Sequence, residues 1–210
     1  MGPSQILARG DSIVATCRNP AGAAELQTML DGYSGTGFAH ALPVDVSDEA
    51  SVSALPALLA EKGVAAIDVL VHNAGISAPT HPVDPAIGAT KAALMACYET
   101  NAVGPLLLTQ ALLPLVAASS MKKVLVVSSM MGSLEKTGLS GGSVSYRASK
   151  AGANMITLCM AGELGESHGL TFAMVHPGWV ATRDTNSGEP RGRGGLPWPR
   201  ECTGFPPTSS

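Results

Sequence analysis

Short apolar runs of strand length alternate with segments of helical period along this 210-residue chain, and the alternation leaves few folds open. The runs are "SIVATC" (12–17), "FAHALPVDV" (38–46), "AIDVLVHNAG" (66–75), "KKVLVVSS" (122–129) and "LTFAMVHPGWV" (170–180). Between them lie helical stretches. Residues 21–31 carry Leu26, Met29 and Leu30 at helical spacing, and 47–63 open on a capping signal at Ser47 and stop at Gly63. Residues 86–99, 100–119 and 144–165 supply three more, and "QILARG" reads as a helix end capped by Gly10. Four or five rounds of strand and helix predict an α/β fold, a doubly wound parallel sheet between two helical layers. Right-handed crossovers then put ligands at the carboxyl ends of the strands. Asp45, Asn73, Ser129 and the His176–Pro177 pair lie at such ends.

Composition narrows the partners. With 45% hydrophobic and 14% charged residues, the chain can bury one sizeable core. A net charge of -3 gives no electrostatic footprint for nucleic acid. The most apolar stretch, 102–118, is interrupted by Thr109, Gln110 and two prolines, so it reads as a buried helix and not a membrane span. The first ten residues lack the apolar run of a secretory signal. Cys17, Cys97, Cys159 and Cys202 form no C-x-x-C pair, which points to free thiols and a cytoplasmic setting. The five histidines have no metal-ligand spacing. From Thr185 onward Gly, Pro, Ser and Arg dominate without period. The expected organisation is one domain over 1–184 and a disordered tail over 185–210.

Tyr146 stands four residues before Lys150, so the two can share a helix face. A phenol with a pKa of ~10 is a poor acid–base group at neutral pH. A cation about 4 Å away, at an effective dielectric near 20, favours phenolate by roughly 4 kcal/mol before desolvation, or about three pKa units at most. Lys150 is therefore expected to draw Tyr146 towards neutrality. The spacing alone is common and equally fits a surface pair. The chain also contains, in order, "HNAG" (72–75), "TNAVG" (100–104), "VVSS" (126–129) and "HPGWV" (176–180). Together these motifs resemble the short-chain dehydrogenase/reductase family over roughly residues 5–183. "IVATCRNP" and "HPGWVATR" look most like its C-factor/sniffer-like carbonyl reductase branch.

The resemblance implies a Rossmann-type three-layer α/β/α domain that binds a nicotinamide cofactor and interconverts a carbonyl and an alcohol. Tyr146 would exchange the proton, Lys150 would tune it and hold the nicotinamide ribose, and Ser129 would polarise the substrate oxygen. Asn101 would hold a relay water; on local chemistry it also fits a helix-capping Asn. Asn73, Ala74 and Gly75 would lie beside the adenine ribose. Asp45 and the Val46 backbone would meet the adenine. Pro177, Gly178, Val180 and Thr182 would contact the carboxamide and phosphates. Arg18, following Cys17 where an acid might stand, favours NADP over NAD, because it can meet a 2′-phosphate; a solvated Arg is the plainer reading. His72 and His176 read as packing residues. A small-molecule carbonyl or alcohol and a homodimer or homotetramer are the partners implied.

Two departures qualify the resemblance. The family opens with a strand and a T-G-x-x-x-G-x-G turn, whereas this sequence starts within the following helix; "GYSGTG" (32–37) precedes a strand instead of joining one to a helix. The strand would lie between "SIVATC" and "AIDVLV", so the sheet is expected to lack it, along with the family's edge strand after "HPGWV". Poor cofactor binding by this polypeptide is the corresponding expectation. The alternative function is a catalytically silent fragment that acts by association through helices 100–119 and 145–165.

Overall fold

Parallel pairing joins all the strands, but in two sheets. The computed structural model describes residues 7–35, 37–78, 84–137 and 141–178. In the first sheet β1 (Ile13–Cys17) runs parallel to β2 (Ala39–Pro43), with Ile13 opposite Ala39. In the second, β3 (Val69–His72), β4 (Lys123–Val127) and β5 (Thr171–Val175) follow one another in that order, all parallel. The helices are α1 (Ala24–Asp31), α2 (Glu49–Glu61), α3 (Lys91–Tyr98), α4 (Gly104–Ala117), the short α5 (Leu134–Thr137) and α6 (Val144–His168). Among the described residues no strand joins β1 to β3. The sheet is therefore divided where the resemblance puts a further strand, and Val69 and Val71 of β3 are each 44% exposed.

A shared core ties the two sheets. Val14 of β1 and Leu42 of β2 pack in the same cluster as Leu70, Val124 and Phe172 of the second sheet. Leu55 and Leu59 of α2 and Leu108, Leu112 and Val116 of α4 complete it. Burying a Leu or Val side chain fully is worth about 1.5–3 kcal/mol. These two helices thus bridge the sheets without backbone hydrogen bonds between them. The stretch Lys91–Ala117 is long and apolar enough to cross a membrane by length and composition, yet the α4 part of it supplies this core.

Local chemistry corrects two boundaries and adds one element. Asp48, not Ser47, caps α2, its side chain accepting from the Ala50 N–H; Ser47 instead donates to Asp45. The apolar helix expected over 100–119 begins as a π turn, Glu99–Val103. Pro105 has no N–H for the Asn101 carbonyl at the α-helical position, so the backbone widens there. A turn of helix at α5 had no sequence signal. Residues 1–177 form one unit and 178–210 a second, of which only Gly178 is described, at φ +77°. The boundary expected at 184 lies outside the described residues.

Candidate active site

The loop after β4 and the first turns of α6 are fastened together, and this brings Ser129, Tyr146 and Lys150 into one place. Ser129 caps the 3-10 turn Met130–Gly132, its Oγ accepting from the Met131 N–H at 3.2 Å. Its side chain lies close enough to Tyr146 to act on the phenol. Ser128, the other candidate, points elsewhere: its hydroxyl donates to Asn154 Oδ1 at 2.5 Å. Asn154 in turn donates to the Gly132 carbonyl at 3.3 Å, so α6 grips the loop on both sides of Ser129. Gly132 makes the approach possible, because a Cβ there would lie 2.7 Å from the Lys150 carbonyl carbon. Lys150 is 5% exposed. Its Nζ donates to the Val127 carbonyl at 2.7 Å and lies 5.7 Å from the Tyr146 ring centroid.

Asn101 is 1% exposed and works as a clamp. Its Nδ2 donates to the Ile76 carbonyl and to Ser149 Oγ, each at 2.8 Å, and its Oδ1 accepts the Ile76 N–H at 2.8 Å. Both side-chain donors are thus committed to structure. Pro105 leaves the Asn101 carbonyl without an i+4 donor. Asn101 does not cap a helix.

Burial dominates the electrostatics. It pushes the Tyr146 phenol above its ordinary value; the Ser129 side chain opposes this, and the neighbouring Cys97 adds to it. Burial likewise pushes the Lys150 ammonium down. The expectation that Lys150 draws Tyr146 towards neutrality is not met. The ammonium donates one proton to the Val127 carbonyl and lies 5.7 Å from the ring centroid, and desolvation of the phenol outweighs any help it gives.

The cofactor-side candidates divide into three groups. Asn73, Ala74 and Gly75 form an exposed turn beside the site, and a Cβ on Gly75 would come within 3.2 Å of Asn101 Oδ1 and 3.4 Å of Lys150 Nζ. Such a bare backbone beside an ammonium that makes one hydrogen bond among the described residues fits a ribose and its hydroxyls. Asp45 and Val46 follow β2. Asp45 is held below the usual carboxylate range by the Ser47 side chain and N–H, with the exposed Arg18 charge adding to this. A Cβ on Gly104 would lie 2.8 Å from the Val46 carbonyl, so the start of α4 packs directly on that backbone. Pro177 is exposed after β5, whereas Val180 and Thr182 lie outside the described residues.

The sequence did not signal Asn154, Ser149, Cys97 or Gly132 as supports of the site, since their contacts cross many residues of chain. His72 is a packing residue, as expected: it is buried and bonded to Thr109 at 2.9 Å. His176 is exposed, which corrects the packing reading. It lines an open groove of about 370 Å³ with Ser129, Met130, Leu158 and Met174. A larger cavity of about 420 Å³, between Leu7 and Tyr33, shares no residue with this site. Chemistry, not volume, identifies the centre.

The family described as short chain dehydrogenase matches residues 4–191. A 1-hydroxy-2-glutathionyl-2-methyl-3-butene dehydrogenase of Rhodococcus sp. (strain AD45) is 34% identical over 180 residues, covering 85% of this chain and 71% of that protein. The C-signal protein of Myxococcus xanthus is 39% identical over 117 residues, 55% of this chain and 67% of its own. The crystal structure of an NADPH-bound carbonyl reductase from chicken fatty liver superposes with a TM-score of 0.76 at 32% identity, covering 89% of this chain and 77% of the other.

Proposed function

Because the chain belongs to the short-chain dehydrogenase family, we propose that it interconverts a carbonyl and an alcohol with NADP as its cofactor. It is an oxidoreductase; the NADP preference, the roles of individual residues and the class of substrate are our reading. The observation that carries it is the meeting of Ser129, Tyr146 and Lys150 beside the bare backbone of Gly75.

In this reading Ser129 Oγ holds the substrate oxygen next to the phenol. Tyr146 hands its proton to that oxygen during reduction and takes it back during oxidation. Positioned proton transfer of this kind contributes typically 10²–10⁴-fold. Lys150, fixed at Val127, offers its remaining protons to ribose hydroxyls, and the Asn101 carbonyl supports a water that resupplies the proton. Asn73–Gly75, Asp45, Val46 and Arg18 hold the adenosine half, with Arg18 favouring a 2′-phosphate. Pro177, Gly178, Val180 and Thr182 take the nicotinamide side. The cofactor, when bound, supplies the hydride. The free thiols of Cys17, Cys97 and Cys159 favour a cytoplasmic setting.

The test is NADPH oxidation against a panel of aldehydes and ketones. Turnover is expected at high NADPH concentration, which offsets weak cofactor binding, with Tyr146→Phe reducing it by at least about 10²-fold. Turnover unchanged by that substitution overturns the role of Tyr146. A second reading, association without catalysis, draws on the exposed Met95, Tyr98, Met155 and Leu158 of α3 and α6. The core-facing α4, expected to contribute, is not available. A homodimer or homotetramer on size-exclusion chromatography with no turnover on the whole panel would favour it.

A further inference from the structure

One buried carboxylate stands outside the chemistry above. Asp84 is 3% exposed, on the segment leading to α3. Its Oδ2 accepts the Ser145 N–H at 3.1 Å and the Ser145 hydroxyl at 2.5 Å, and its backbone carbonyl accepts the Val144 N–H at 3.2 Å. Its Oδ1 is buried with no hydrogen-bond partner among the described residues. Leaving a carboxylate oxygen in that state costs stability, so the interactions made by Oδ2 must offset the loss.

They do so at the start of α6. The first N–H groups of a helix have no partner within it, and a side chain of the residue before the helix usually supplies one. Here that residue is Ser143, which sits in the left-handed region at φ 54° and makes no side-chain cap bond. Asp84 takes over from 61 residues away in the chain. Ser145 is 0% exposed, so bulk water does not reach these donors. The negative charge also suits the helix N-terminus.

Tyr146 is the next residue. Its backbone is therefore held from both sides: Ser145 by Asp84, and its own carbonyl by Ser149 Oγ at 2.8 Å, which in turn receives the Asn101 Nδ2 proton. Cys97, 0% exposed, has its thiol raised by burial and then by the Asp84 charge, and it lies near enough to Tyr146 to act on it in turn. We propose that Asp84 is a positioning residue, capping α6 from a distant segment and so holding the Tyr146 hydroxyl against Ser129. The proposal rests on the reading of Tyr146 as the acid–base group.

Two measurements on the full chain separate the cap from the chemistry. Ring-¹³C tyrosine NMR with amide exchange follows Tyr146 and the first turn of α6 without any turnover. Reduction of the carbonyl panel follows catalysis. Asp84→Ala is expected to shift the Tyr146 ring signal, to speed exchange at Ser145 and Tyr146 about tenfold, and to lower kcat about 10²-fold at near-constant KM. Asp84→Asn, which keeps an acceptor oxygen, is expected to restore most of each. A ring signal and exchange unchanged in folded Asp84→Ala overturn the proposal, as does equal damage by both variants. If Asp84→Ala does not fold, Ser145→Ala, which removes only the hydroxyl donor, is expected to shift the ring signal in the same direction by less; no shift overturns it. If the wild-type chain reduces nothing on the panel, the acid–base reading fails, and the NMR comparison still decides the cap.

Discussion

Burial raises the Tyr146 phenol and lowers the Lys150 ammonium, because a low-dielectric surrounding penalises the charged form of either group. A phenol held high keeps its proton throughout the neutral range. Carbonyl reduction, which consumes that proton, is expected to stay flat across neutral pH, whereas alcohol oxidation, which needs the phenolate, is expected to rise with pH. Rate profiles in the two directions check this; an oxidation rate flat from neutral to alkaline pH contradicts it. His72 carries a second dependence. Burial lowers its pKa from 6.5 to about 4. The Thr109 hydroxyl spends its hydrogen on the Pro105 carbonyl, so the His72 Nε2 must carry the proton between them. As pH falls through 6.5 the unfolded chain binds a proton that the folded chain refuses, and stability is lost until about pH 4. The loss is about 3 kcal/mol once both states are protonated. Denaturant titrations at neutral pH and in this acid window should show it, and His72→Gln should flatten the trend. The order of motifs made Tyr146, Lys150, Ser129 and Asn101 legible as candidates. Their protonation was not, since it depends on how much water the fold leaves around them.

Elements touch this site through glycine. Gly132 brings the Ser129 turn onto the α6 backbone, and Gly152 lets Tyr98 of α3 lie on the same helix, a Cβ there falling 2.5 Å from the ring. Gly132→Ala is expected to cost roughly 1–3 kcal/mol, because the atoms it meets are the Lys150 backbone and its Cβ, which cannot swing away. It should also lower kcat by moving Ser129 off Tyr146. Gly162, on the same helix, has open space where its Cβ would go. Gly162→Ala is expected to stabilise the fold by roughly 0.5–1 kcal/mol, through helix propensity and the unfolded state. Thermal melts of the two variants, with turnover, check the contrast; similar melting shifts would contradict it. Strand and helix were readable from periodicity at nearly every element. The π turn and the Asp48 cap were not, because each depends on which of several adjacent polar groups wins a backbone partner.

Across the whole molecule, the divided sheet sets the order of local stability. Among the described residues β4 is hydrogen-bonded on both edges, to β3 and to β5, whereas β1 pairs with β2 and β3 with β4. Amides of β4 are expected to exchange slowest, and those on the unpaired edges of β1 and β3 much faster, despite their apolar side chains. Exchange mapped by NMR or mass spectrometry checks this; β1 protected as strongly as β4 would mean that its free edge is covered. Leu55 is 2% exposed in the core cluster that both sheets share. Leu55→Ala should therefore cost about 2–5 kcal/mol and loosen both sheets together.

By itself the sequence determined the α/β class, the order of the elements and the motifs that identify the family, because period, turn residues and spacing are local properties of the chain. Only the tertiary structure decided which groups meet. Asn154 holds the Ser129 loop, Asn101 clamps Ile76 to Ser149, and Asp84 caps the helix that carries Tyr146. Each of these contacts joins segments more than twenty residues apart, and burial there, not residue type, sets the energy of every charge.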